Sequence, residues 1–200
     1  MFDQYLIPDL ENIILQYCWP DTDNILELCR YGHYEKIAMI KEGISWNKAL
    51  KLFCRCGYNS MIGLIINKII TIYKDENILD WNEGLHGACC GGNMKIVKLM
   101  IEKGANDWNK GLREACYGGD IYRGGDMEII NLMIEKSANN WNGGLYEACR
   151  NGNMKIVKLM IEKGADDWNR GLDGACYYGY MEIADLMIAK GADRYQNRYI

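Results

Sequence analysis

No apolar run in the chain approaches the roughly 18 residues that a membrane-spanning helix needs, so no segment is expected to cross a bilayer. The N-terminus lacks a basic region followed by an apolar stretch and a small-residue cleavage site, and the expectation is a soluble, cytoplasmic protein. Blocks of like charge are missing too. Lys and Glu alternate within a formal net charge of −4, which offers no basic tract for nucleic acid. Histidine is scarce: His33 and His86 stand far apart, and neither is grouped with an acid and a nucleophile as a triad requires. There is no C-x-x-C pair of the kind that binds structural zinc. The glycine-rich residues 118–126 have no Lys-Ser or Lys-Thr behind them and so do not resemble a phosphate loop. The chain is therefore read as non-enzymatic, with no catalytic, cofactor-binding or metal-binding residues and no small-molecule substrate.

What the chain does have is self-similarity. Residues 141–167 nearly copy residues 81–107, and Trp19 and Trp46, Trp81 and Trp108, and Trp141 and Trp168 are each 27 residues apart. Such a period means that each unit buries its apolar face on its neighbours. Two intervals are longer, 35 residues from Trp46 to Trp81 and 33 from Trp108 to Trp141. The second holds a six-residue insertion in G-G-D-I-Y-R-G-G-D; the first holds extra residues after Ile69, read as a longer helix or a loop. The expected organisation is a capping helix over residues 1–20, then units at 21–45, 46–80, 81–107, 108–140, 141–167 and 168–200.

Inside a unit, Leu85, Ala88 and Cys89 share one helical face, and a glycine three residues after the aligned cysteine (Gly32, Gly57, Gly92, Gly119, Gly152, Gly179) ends the helix. Asn47, Asn82, Asn109, Asn142 and Asn169, each after a Trp, are expected to be the N-caps of these first helices. A second helix follows, with Ile96, Val97, Leu99, Met100 and Ile101 apolar and Lys95, Lys98 and Glu102 on the remaining arc. Gly104, Gly164 and Gly191 end it, and Ser137 breaks that rule. Cys54, Cys89, Cys116, Cys149 and Cys176 fall at one unit position and read as small core residues in a reducing compartment.

Helix, turn, helix and short return in 27 residues leave no room for a tetratricopeptide unit, and the leucine-rich pattern is absent. A-C-x-x-G-N-M-K-I-V-K-L-M-I-E-K-G-A, at residues 88–105 and 148–165, resembles the ankyrin repeat, and closely. The resemblance spans about residues 21–193 and implies an all-α ankyrin-type solenoid of about six units. Where that family has T-P-L-H, this chain keeps the leucine and, only at His86, the histidine. Its units are also about six residues short at the return, so the projecting hairpin finger should be stunted. The tryptophans are expected to compensate by packing between units; full burial of about 150–250 Å² each sets an upper bound of roughly 4–6 kcal/mol. The compact Trp-Asn units resemble ankyrin proteins of giant amoeba-infecting DNA viruses.

The ankyrin resemblance implies protein binding on a concave face formed by the first helices, through two positions before each turn glycine. Carried over, the partner-binding candidates are Arg30, Tyr31, Arg55, Tyr117, Arg150, Asn151, Tyr177 and Tyr178. Tyr and Arg are enriched at interface hot spots; a tyrosine-rich composition is the plainer account of the same residues. The partner is expected to be a protein, a host protein if the chain is viral, and the chain itself a monomer. L-I-P-D-L-E-N-I-I-L-Q-Y-C, residues 6–18, is either an amphipathic cap or, by resemblance to the first helix of an F-box, a recruiter of a ubiquitin ligase scaffold that would make the array a substrate adaptor. Residues 194–200 are expected to cover the apolar end of the last unit.

Overall fold

The computed structural model describes residues 46–74, 78–118 and 126–193. The proposed cap, the F-box-like residues 6–18, the first unit with Arg30 and Tyr31, most of the insertion, and the tail 194–200 lie outside them. The described residues form ten helices and no strand: α1 Trp46–Cys56, α2 Asn59–Tyr73, α3 Trp81–Cys90, α4 Met94–Glu102, α5 Trp108–Tyr117, α6 Met127–Glu135, α7 Trp141–Arg150, α8 Met154–Glu162, α9 Trp168–Tyr177 and α10 Met181–Ala189. They alternate as first and second helices of successive units, giving the all-α solenoid expected from the period. The extra residues after Ile69 begin as helix, since α2 runs on to Tyr73.

One continuous core threads the units. Leu50, Leu85, Leu112, Leu145 and Leu172 are buried from the first helices, and Met100, Met133, Met160 and Met187 from the second. Cys54, Cys89, Cys116 and Cys149 are buried free thiols in the same column. Burial pushes Cys54 and Cys149 up to about 12, so they stay protonated and pack as small hydrophobes. Each first helix touches the first helix of the next unit along its length, whereas second helices of neighbouring units meet sparsely. Tighter spacing on one side curves the stack, with the first helices on its inner side.

The turns close as the sequence implies. Gly57, Gly92, Gly152 and Gly179 have φ between 68° and 78°, a region where a side chain would be strained. Second helices end in a paired bond: Gly104 N–H donates to Ile101 O and Ala105 N–H to Met100 O, with Ala105 and Met100 both buried. The same pair forms at Ser137, φ 75°: Ser137 N–H donates to Ile134 O and Ala138 N–H to Met133 O. At the α1–α3 junction, a Cβ on Gly87 would collide with the Lys51 carbonyl oxygen, so the absence of a side chain lets the two helices meet backbone to backbone.

The structure corrects the capping assignment. The N-caps of α3, α5, α7 and α9 are the residues before the Trp: Asp80 accepts from Asn82 N, Asp107 from Lys110 N, Asn140 from Gly143 N and Asp167 from Arg170 N. The asparagine after the Trp reaches the next unit instead. Asn82 Oδ1 accepts from Asn106 N and Asp107 N at 2.8 and 2.9 Å, Asn109 Oδ1 from Asn139 N and Asn140 N at 2.7 and 2.9 Å, and Asn142 Oδ1 from Asp166 N and Asp167 N at 2.8 and 3.0 Å. Asn47 and Asn169 accept from Asp80 N and Asp193 N. A side chain already inside the first turn cannot also cap it, and the shortened return presents two backbone N–H groups that need an acceptor.

The tryptophans do less than expected. All five described rings are only partly buried against the core. Trp81, Trp108 and Trp168 lie beneath Lys103, Lys136 and Lys190, the residues that end their own unit's second helix, at 5.6, 6.0 and 6.0 Å. Each lysine comes from the ring's own unit, and partial burial is worth less than the full-burial bound.

Two measurements test these contacts. Asn109→Ala should lower stability by about 1–2 kcal/mol in urea unfolding, and Asn109→Asp, which keeps the acceptor, should recover most of the loss. Ser137→Gly should raise stability by about 0.5–1 kcal/mol, because the left-handed backbone penalises serine, and Gly104→Ala should lower it by about as much.

Candidate functional site

The inner side of the curve is lined by the first helices, and their C-terminal ends carry the sequence candidates. The final residues of α5 and α7, Tyr117 and Arg150, and Tyr178, just beyond α9, meet across three consecutive units. The Arg150 guanidinium lies 5.3 Å from the Tyr117 ring and 5.5 Å from the Tyr178 ring. Its Nε and Nη2 donate to the Tyr178 hydroxyl at 3.2 and 3.0 Å. Tyr177 stands edge-on to Tyr178, ring centroids 4.8 Å apart. The result is an aromatic–cation–aromatic column running along the array rather than along any one helix.

Around the column, Arg170 stacks over Tyr146 at 4.8 Å. Beneath it, Glu147 is half-buried, with its Oε2 lacking a hydrogen bond and 3.6 Å from Arg150 Nη1. Burial raises the Glu147 carboxyl above its ordinary range, against the opposing pull of Arg150. Among the described residues four large apolar or aromatic side chains are exposed, and three of them, Tyr177, Tyr178 and Met181, lie from the end of α9 to the start of α10. Tyr177 is 76% exposed.

The structure brings together Tyr117, Arg150, Tyr177 and Tyr178. Arg55 is exposed at the end of α1, at the far end of the described array. Asn151 sits half-buried with its Nδ2 enclosed and without a partner. The column was not legible in the sequence; the only available signal was that Tyr or Arg recurs before the turn glycine.

The opposite, N-terminal edge of the first helices holds a second cluster, which the sequence reading missed. Glu83 on α3 receives Lys51 from α1 at 2.9 Å and Lys110 from α5 at 3.0 Å, bridging three units. Partial burial alone would raise the Glu83 carboxyl, but the hydrogen bonds and charge of the two lysines hold it down at about 2. Beside it His86, 2% exposed, has Nδ1 3.6 Å from Glu83 Oε1 and Nε2 3.3 Å from Asp107 Oδ2, with neither nitrogen in a well-formed hydrogen bond. Burial and then the Lys110 charge depress its pKa, outweighing the two carboxylates. No group of three or more His, Cys, Asp or Glu side chains arranged to hold a metal ion occurs among the described residues. No helix among them is long and apolar enough to cross a membrane.

The ankyrin repeat family model matches residues 85–110 and 145–170. These run from within α3 into α5, and from within α7 into α9, so each covers a turn, a second helix and the bridge to the next unit. No curated protein matches the chain.

The charge cluster sets a pH response. His86, depressed from 6.5, is held neutral in the fold, so stability should fall as pH drops below 6.5, where the unfolded chain takes up the proton. Glu83 contributes stability above its unfolded value of 4.5 that is lost between there and about 2. In urea midpoints measured against pH, His86→Gln should remove the first decline and Glu83→Gln the second.

Proposed function

We propose that this chain, which carries ankyrin repeats, is a non-enzymatic binding protein that holds a partner protein against the inner, first-helix side of its array. Ankyrin repeats are in general protein–protein interaction modules. The observation that carries the choice of face is the column of Tyr117, Arg150 and Tyr178, extended by exposed Tyr177. Large aromatic side chains and arginine exposed together are what interface hot spots are made of, since each couples contact area with directed hydrogen bonding. Arg55, Asn151 and, by sequence position, Arg30 and Tyr31 continue the same row. The likeness of the Trp-Asn units to ankyrin proteins of giant DNA viruses supports a host protein as the partner.

Proximity labelling or affinity capture with the full chain, compared between wild type, an Arg150→Ala/Tyr177→Ala double variant and a Lys98→Ala/Lys158→Ala control on the outer helices, tests this reading. Partners recovered by wild type and the control but lost by at least about tenfold with the double variant, as removal of a hot spot implies, would support it. Partners retained equally by the double variant would overturn the choice of face.

A further inference from the structure

Residues 81–107 and 141–167 are near copies and make the same bonds to the unit that follows. At the first junction Asn82 Oδ1 accepts from the Asn106 and Asp107 amides at 2.8 and 2.9 Å, and Asp107 Oδ1 from the Lys110 amide at 3.1 Å. At the second, Asn142 Oδ1 accepts from the Asp166 and Asp167 amides at 2.8 and 3.0 Å, and Asp167 Oδ1 from the Arg170 amide at 3.2 Å. The two differ in what stands beside those bonds. His86 and Glu83 in the first unit correspond to Tyr146 and Gly143 in the second.

Among the described residues His86 is the one buried polar side chain of the core, and both of its ring nitrogens are enclosed without a hydrogen bond. The ring lies across the junction rather than inside a unit. Nδ1 is 3.6 Å from Glu83 on its own helix α3, and Nε2 is 3.3 Å from Oδ2 of Asp107, the cap of α5. Lys51 of α1 and Lys110 of α5 complete the charged surroundings, and both are paired with Glu83. A neutral imidazole occupies such a place at the cost of its unmade hydrogen bonds. An imidazolium would set three cations against two carboxylates, one of them already shared by both lysines, in a space closed to solvent. Burial accordingly holds the ring below its ordinary pKa. A proton therefore reaches His86 chiefly when α5 moves off α3, and once bound it opposes their return.

We infer that the junction between residues 81–107 and the unit beginning at Trp108 is an acid-sensitive joint, opened by protonation of His86, whereas the matching junction ahead of Trp168 is not. The loss of stability in acid is then local: the array parts between α3 and α5 before it unfolds. Arg55 lies on one side of the joint and Tyr117, Arg150 and Tyr177 on the other, so acid interrupts the row of first helices and leaves the aromatic column whole.

NMR-detected hydrogen exchange of the full chain, expressed as protection factors at about pH 7.5 and about pH 5.5, tests the joint against a control within the same molecule. An open state that titrates at 6.5 and a closed state that stays neutral make opening up to about tenfold more favourable at the lower pH. Protection of the Asn106, Asp107 and Lys110 amides should fall by about three- to tenfold more than that of the Asp166, Asp167 and Arg170 amides. His86→Gln, or His86→Tyr as in the copied unit, should make the two junctions respond alike. Equal losses at both junctions in the wild type, a gain of protection at Asn106 and Asp107 in acid, or the same difference persisting in the variants would each overturn the inference. Should the variants fail to fold, the wild-type comparison decides by itself.

Discussion

Each unit reaches into the next with one amide oxygen. The asparagine after the tryptophan accepts from the two backbone N–H groups that precede the next first helix, and with so short a return there is no strand ladder to satisfy them. A hydrophobic stack alone would hold the units together while leaving them free to slide, because burial is not directional. Two hydrogen bonds to adjacent amides fix both the rise and the rotation from one unit to the next. The N-cap of each first helix is thereby tied to the unit before it, so helix initiation and unit stacking are one event rather than two.

The parts of this arrangement that were legible in the sequence are those decided within a unit. Helices start at Trp and Met and stop before Gly because apolar spacing, turn residues and left-handed backbone all lie within a few neighbouring positions. Leu85, Ile96 and Met100 could be assigned to the core on that basis alone. The asparagine was misread for a physical reason: in Asp-Trp-Asn two Asx residues flank the helix start, either can cap, and the partner that decides between them is about two dozen residues away. The tryptophan was overvalued similarly, since its size invites full burial, whereas the rings are only partly buried and three of them have a lysine ammonium nearby. For the candidate site, the sequence supplied the residue types at the ends of the first helices but not their meeting. Tyr117, Arg150 and Tyr178 come together only once three units have stacked, and the Lys51–Glu83–Lys110 bridge likewise spans three.

The two clusters divide the inner side by chemistry. At the N-terminal edge of the first helices the charges are paired among themselves: Glu83 is held by two lysines, and neutral His86 is enclosed behind it. Such a network offers a partner little, because its best donors and acceptors are already engaged. At the C-terminal edge arginine is paired chiefly with aromatic rings, which leave guanidinium N–H groups and tyrosine hydroxyls still able to donate. Equal numbers of charged side chains would thus give unequal binding capacity, and the difference follows from what each charge stacks on.

Order in the column matters as much as composition. A free arginine on a surface loses most of its rotamer freedom when a partner fixes it, which subtracts from affinity. Arg150 is already held by two hydrogen bonds to Tyr178 and by the Tyr117 face, so that cost falls on folding rather than on binding. The asparagine bridges make this possible. Tyr117, Arg150 and Tyr178 belong to three different units, and their separation is constant only to the extent that each unit is fixed on the next. In an array free to slide, the same three side chains would form three separate surface groups. The proposed recognition surface is therefore a property of the stack, and the bond that most directly sets it lies at the opposite end of the first helices from the residues proposed to make contact.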